Sequence, residues 1–340
     1  MTSPETRRTG HLKAERSGFE YRSDVLKASC LERFTVSLHF TGSIFDRLQS
    51  KGYVRPSYWF EMGSKPLLPL TLGQLIEWAA EEYADREALV SVYEDLRLTF
   101  KEAKEKADHL AAGFLALGLN PGNVIAVWGF NSTNFYLIIL AAARAGLILA
   151  KVDPSYQAPE LRHCLNKVGA KLLIAAETDV TQNYYKIIQS LAPELDHCAA
   201  GQLRSEQLPE LRTVVMTGDL TQANTYNLDD LITMATPEGI AKLIEIQKSI
   251  QPDDGTAIHY TSVEGTTGSP KGALLSHRNI INAGYCFARQ TGMKKSYNLC
   301  IQIQCCHVGS NIAVVAGLHV GFTLVFPSPK FNAESSIKAI

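Results

Sequence analysis

Neither sign of charge prevails in this chain. Its 33 lysines and arginines face 34 aspartates and glutamates, a formal net charge of -1, so the balance gives no electrostatic footprint for nucleic acid. Long apolar runs are lacking as well. The longest, residues 135–150, is interrupted by Arg144 and falls short of the ~20 residues that a membrane-crossing helix needs. Cysteines are few and follow no pattern. The seven (Cys30, Cys164, Cys198, Cys286, Cys300, Cys305, Cys306) are odd in number and irregularly spaced, which excludes a disulfide framework and a paired CxxC zinc site. A reducing compartment is the simplest reading. Cys305 and Cys306 are expected on a strand, where neighbours face opposite ways and do not share a metal. There is no internal repeat, no low-complexity tract, and no GxGxxG after the first strand of an α/β unit, which argues against a dinucleotide site.

What is present is enough apolar residue for a large core: 46% of 340 residues, suited to one large or two ordinary domains. Helix and strand patterns alternate. Leu72, Leu75, Ile76, Ala79 and Tyr83 recur at helical spacing, and two short strands follow around a Glu94-Asp95 turn. Thr99 and Glu102 form a capping box for a helix that stops at Gly118. Strands are then expected over residues 124–128, 147–152, 171–176, 214–216, 257–260 and 318–327, with helices over 134–145, 159–168 and 276–288. Strands rich in Val, Ile and Leu between amphipathic helices predict an α/β fold with a parallel sheet covered on both faces. The mixed charges of Lys101–Lys106 read as a solvated helix face. Trp128, Phe130 and Tyr136 read as core, and His259 and His277 as structural histidines.

The densest chemistry lies in Thr261–Lys271, TSVEGTTGSPK, with Gly272 closing it. It is expected to join a strand to a helix. Gly265, Gly268 and Gly272 keep no Cβ between an anion and the backbone N–H groups. Thr261, Ser262, Thr266, Thr267 and Ser269 add hydroxyl donors, and Lys271 adds a compact positive charge. Together these point to phosphate. The loop is not the common P-loop, which has Gly before its Lys and Ser or Thr after it; those places hold Pro270 and Gly272.

This segment resembles the phosphate-binding signature of the acyl-adenylate-forming enzymes, TSGTTGxPKG followed by xxLSH, matched here through Leu274-Leu275-Ser276-His277. The resemblance runs from about Leu70 to the end, including DPSYQAPEL (Asp153–Leu161) for the family's NPxYxxxEL turn. The wording EALVSVYEDLRLTF, AAARAGLILA and DPSYQA is most similar to the mitochondrial medium-chain acyl-CoA ligases of that family. It divides the chain into an amino-terminal extension, 1–69, with basic residues of a targeting kind at its start alongside acidic ones, and a partial AMP-dependent synthetase domain, 70–340. The function it implies is a fatty acid–CoA ligase in mitochondria, using ATP with Mg2+ and coenzyme A as cosubstrate. Lys271 and the loop donors would hold the β- and γ-phosphates. His307 matches the family histidine beside the acyl and nucleotide pockets, and Ala283, Gly284 and Phe287 would shape the acyl pocket. Three departures stand against activity. Val263 and Glu264 separate Ser262 from Gly265, the histidine motif CCHVG is one residue short, and no YGxTE segment or later family element follows before Ile340. The expectation is therefore a truncated ligase domain without its small carboxyl-terminal domain, poorly soluble alone. The alternative is a non-catalytic nucleotide-binding or interaction protein of the same fold.

Overall fold

The computed structural model describes residues 65–177, 182–218, 222–261 and 269–339; the extension expected over 1–69 lies outside them apart from its last residues. Helix α1 (Leu72–Glu82) opens on a capping box in which Thr71 and Gln74 exchange side-chain-to-backbone hydrogen bonds. Strands β1 (Glu87–Ser91) and β2 (Leu96–Thr99) pair antiparallel around Asp95, which takes φ 49°, a left-handed value that Asp tolerates better than most residues. The Thr99–Glu102 box then starts α2 (Phe100–Ala116).

Alternating units follow: β3 (Val124–Trp128), α3 (Thr133–Arg144), β4 (Ile148–Val152), α4 (Ala158–Val168), β5 (Leu172–Ala175), α5 (Tyr184–Leu191), β6 (Thr213–Met216), β7 (Tyr226–Asn227), α6 (Leu228–Thr233) and α7 (Pro237–Ser249). The chain continues through β8 (Gly255–Thr261), β9 (Lys271–Ser276), α8 (His277–Gln290), β10 (Asn298–Cys300), α9 (Val308–Val320), β11 (Thr323–Phe326) and α10 (Ala333–Lys338).

Seven strands form one sheet in the order β7-β6-β5-β3-β4-β8-β9, parallel except for the last pair. Period-two alternation sends each strand's residues to two cores. On β3, Ile125 and Val127 join a cluster with α1, α2, α3, α8 and α9, while Ala126 and Trp128 join another with α4 and α5. Both faces are thus covered, as the apolar strands predict. A second sheet, β10-β11-β1-β2, packs its Leu89, Leu98 and Leu324 into the first cluster. Its non-local pairing of β1 with β11 has no signature in local pattern.

Three expectations are corrected. The loop after β8 does not lead into a helix: Lys271–Ser276 pair antiparallel with β8, so it tips a hairpin. Without β9 the outer edge of β8 would keep its backbone groups unpaired, and the helix starts only where Ser276 caps it. Cys305 and Cys306 do not lie on a strand. They sit in a turn held by the buried Asn131, whose Oδ1 accepts from Cys305 N at 2.6 Å and whose Nδ2 donates to Ile303 O at 2.9 Å. Finally, residues 318–320 end α9 rather than begin β11; a helix this apolar on every side cannot be told from a strand by periodicity.

Where α1, α2 and α3 converge, Arg144 is buried and donates to Asp108 at 2.6 and 3.3 Å, to Glu77 at 2.7 Å and to Gly73 O at 3.3 Å. Lys104 reaches the same two carboxylates at 3.0 and 3.1 Å. This network pins three helices to one another.

Candidate nucleotide site

The candidate site is built on β8, which enters the sheet beside β4 with Lys151 opposite His259 and leaves at its carboxyl end through Thr261. Across the hairpin Thr261 is the partner of Lys271, and Tyr260 of Gly272. The pairing therefore brings the first and last members of the sequence motif side by side. Thr261 Oγ1 lies 3.5 Å from Lys271 O. Thr261, Ser269, Lys271 and Gly272 are all exposed. Ser262, Gly265, Thr266, Thr267 and Gly268, and with them Val263 and Glu264, fall outside the described residues.

Helix α4 anchors the hairpin base. His163 Nε2 donates to Pro270 O at 3.0 Å, and Tyr260 OH donates to Cys164 O at 2.7 Å. The segment before α4 is a tight turn in its own right. Asp153 Oδ1 accepts from Ser155 N at 2.8 Å, and Glu160 caps back onto Gln157 N at 3.2 Å. The DPSYQAPEL motif thus leads into the helix that anchors the hairpin base. Gly272 is absent from the left-handed glycines. Its lack of a side chain serves packing, since a Cβ there would come within 3.2 Å of Ile258 and 3.3 Å of the Tyr260 ring.

His307 is exposed and caps α9, its Nδ1 accepting from Gly309 N at 3.0 Å. That bond places the neutral ring's proton on Nε2, the edge left free for another partner. The turn bearing His307 is tied to the loop-bearing strand: His259 Nδ1 donates to Cys306 O at 3.0 Å. His259 is therefore a bridge between the two halves of the site rather than an isolated core residue. Burial lowers its pKa to about 4, so it bridges as a neutral ring. His277 is likewise buried, accepts from Leu72 N at 3.0 Å, and is lowered to about 4 by burial; it joins α8 to α1.

Of the residues expected to shape an acyl pocket, Gly284 has no room beside it. A Cβ at that position would lie 2.5 Å from Val315 Cγ1, so it is the close-contact point of α8 with α9. Phe287 packs against the same core and Ala283 is half-buried. Open space lies instead beyond the carboxyl ends of β3, β5 and β6. A cleft of about 520 Å³ there is lined by Tyr93, Phe130, Asn131, Phe135, Glu177 and Thr217 among others, the crevice where open α/β sheets take ligands. A shallower groove of about 670 Å³ runs along α4 past Arg162, His163 and Lys167.

Sequence reasoning missed Lys151 and Asn311. Lys151 is buried at 1% exposure on β4, and its Nζ donates to Asn311 Oδ1 on α9. A lysine inside ILAKV, a strand covered on both faces, was the available signal.

A parallel sheet with a hydroxyl- and glycine-rich hairpin at its carboxyl edge defines a class of α/β proteins built to receive a ligand at the strand ends. The family model of the AMP-binding enzymes matches residues 76–340, and the chain belongs to that family. The medium-chain acyl-CoA ligase ACSF2, mitochondrial, of Homo sapiens is 36% identical over 340 residues, covering 98% of this chain and 55% of that protein. The protein of the same name from Macaca fascicularis is 38% identical over 280 residues, 81% of this chain and 45% of that protein. The chain spans about half the length of these curated relatives. The amino-terminal domain of FACL13 from Mycobacterium tuberculosis superposes with TM-score 0.66 at 20% identity, over 80% of this chain and 60% of that one. A long-chain-fatty-acid-CoA ligase, FadD1 from Archaeoglobus fulgidus, gives 0.65 at 21%, over 84% and 52%. At such identities the structures speak for the fold.

Proposed function

We propose that the chain carries the phosphate-binding half of an ATP-dependent acid–thiol ligase that converts a medium-chain fatty acid and coenzyme A to acyl-CoA, AMP and diphosphate in mitochondria. The observation that carries this reading is the Thr261–Lys271 pairing, which closes a phosphate-type loop at the carboxyl edge of the sheet, with the His307 turn tied to the same strand through His259.

The chemistry explains the parts. A carboxylate is a poor acyl donor because its anionic oxygen leaves badly. Attack of that oxygen on the α-phosphate of ATP expels diphosphate and makes AMP the leaving group; the coenzyme A thiol then displaces AMP. Lys271, with Thr261 and the loop donors Ser262, Gly265, Thr266, Thr267, Gly268, Ser269 and Gly272, holds the β- and γ-phosphates and spreads the charge that grows on diphosphate as it departs. His307, with its Nε2 edge free, lines the acyl and nucleotide side. Mg2+ would arrive with ATP and offset phosphate charge. The described residues hold no group of three or more His, Cys, Asp or Glu able to bind a metal. No helix among the described residues is long and apolar enough to cross a membrane, and the substrates are small molecules.

The test is calorimetric titration of ATP into the chain, into Lys271→Ala, and into a variant lacking Val263 and Glu264, followed by mass spectrometry for acyl-CoA after adding octanoate and coenzyme A. Binding that falls at least tenfold in Lys271→Ala supports the loop. Binding without acyl-CoA favours the nucleotide-binding protein over the ligase, and undiminished binding by Lys271→Ala overturns the loop assignment.

A further inference from the structure

Lys151 has no ion-pair partner among the described residues. Its Nζ donates to Asn311 Oδ1 and lies 5.8 Å from the centre of the Phe135 ring on α3. Asn311 is itself buried, and its remaining group, Nδ2, donates to His259 Nε2 at 3.1 Å. An imidazole that accepts at Nε2 carries its proton on Nδ1, which donates to Cys306 O. The order Lys151, Asn311, His259, Cys306 thus runs from β4 across α9 to β8 and ends on the residue before His307. Two residues beyond His259, about 7 Å along the strand, β8 reaches the root of the loop at Thr261.

A cation in this place is costly. An apolar residue of similar size would fill the site without desolvating a charge. The other deeply buried cation among the described residues, Arg144, is neutralised by Asp108 and Glu77. The groups facing Lys151 do not neutralise it. Phe135 comes from α3, Asn311 from α9 and His259 from β8, and the turn before α9 brings Cys305, Cys306 and His307. Burial keeps both thiols protonated, pushing them up to about 12, and keeps His259 neutral. Asp153, beyond the end of β4 and near Cys306, forms no ion pair with Lys151 and has its Oδ1 turned to Ser155. Burial lowers Lys151 itself to about 7, so near neutral pH a modest field decides whether it holds its proton.

We propose that Lys151 is a positioning residue of the nucleotide site, that the Lys151–Asn311–His259 network sets the spacing between the loop-bearing strand and the His307 turn, and that its missing counter-charge is the polyphosphate held by the loop. This rests on the loop reading above. Binding of the anion raises the proton affinity of Lys151, the amine takes a proton from buffer, and the ammonium tightens its bond to Asn311 and through it the His259–Cys306 link.

The experiment is calorimetric titration of ATP into the full chain between pH 7.0 and 8.5, in pairs of buffers with different ionisation enthalpies, for wild type, Lys151→Met, Lys151→Arg and Lys271→Ala. Wild type is expected to take up a substantial fraction of one proton per ATP in that range, as linkage requires of a group titrating near neutrality. Lys151→Met is expected to bind roughly tenfold more weakly with no uptake, and Lys151→Arg, permanently charged, to bind without uptake. Uptake that persists in Lys151→Met, or ATP binding by wild type with no uptake, overturns the inference and leaves the loop reading standing. ATP binding undiminished in Lys271→Ala overturns the loop reading, and failure of wild type to bind ATP overturns both.

Discussion

Replacing Lys151 with Met should stabilise the protein at neutral pH and destabilise it in alkali. Lys151 titrates at about 7 in the folded chain against 10.5 for a free lysine, because burial disfavours its charged form. Between those values the unfolded state binds more protons than the folded one, so wild-type stability rises with pH across that window. The cost of the lysine relative to a neutral group is about 4 kcal/mol at pH 7 and below about 1 kcal/mol at pH 10. Methionine removes that cost but leaves Asn311 Oδ1 without its donor, a loss of about 1–3 kcal/mol. The variant should therefore be more stable than wild type by roughly 2 kcal/mol at pH 7 and less stable by roughly 1 kcal/mol at pH 10, with the sign changing at about pH 8–9. Urea unfolding of both proteins, followed by far-ultraviolet circular dichroism from pH 6 to 10, reads the difference directly. Other titrations cancel in it. A difference that does not vary between pH 7 and 10 would refute the reasoning, since it would mean that Lys151 keeps its proton in the fold.

Other perturbations test the frame that carries the site. Arg144→Met should cost about 3–5 kcal/mol in urea unfolding, because Asp108 stays buried with only Lys104 to answer it; a loss below about 1 kcal/mol would show that Lys104 suffices. Gly284→Ala should cost about 1–3 kcal/mol by driving a methyl into Val315, with a lowered melting temperature as the readout; an unchanged one would mean that α8 and α9 separate freely. Acid should weaken the fold through His259 and His277, both held neutral by burial at about 4 in the folded state against 6.5 when free. The unfolded chain gains those protons first, so stability falls as pH drops from 6.5 towards 4, by up to about 3 kcal/mol for each ring. His277→Asn should lose less stability than wild type between pH 7 and 5, and equal losses would exclude His277 from the effect.

The legible parts of the chain were those written in local chemistry. The Thr99–Glu102 box, the Ser276 cap and the apolar strands β3, β4 and β5 announce themselves because propensity, capping and burial all agree there. Two of the three errors fall where non-local pairing decides. β9 is a strand because β8 offers it an edge, and the turn before α9 is irregular because Asn131, far away in sequence, takes its backbone groups. The loop's composition could be read, but its placement at the end of a hairpin could not. Lys151 was visible as a letter and overlooked as a problem: a lysine in a doubly covered strand must either find a counter-ion or lose its proton.

That choice links the stability and the function of the site. The network around Lys151 spends its hydrogen bonds on joining β4, α9 and β8 rather than on satisfying a charge, so evolutionary or engineered replacement by an apolar residue would be cheap for the fold at neutral pH. What such a replacement would remove is the coupling between the anion at the loop and the turn that presents His307. A residue that costs stability while its hydrogen-bond network joins both elements of a candidate site is better explained by the site than by the core. The pH dependence of ATP binding and the pH dependence of unfolding should therefore share one titrating group near neutrality. Both should lose it together in Lys151→Met. Loss from the unfolding curve alone would make Lys151 a burden on the fold with no part in binding.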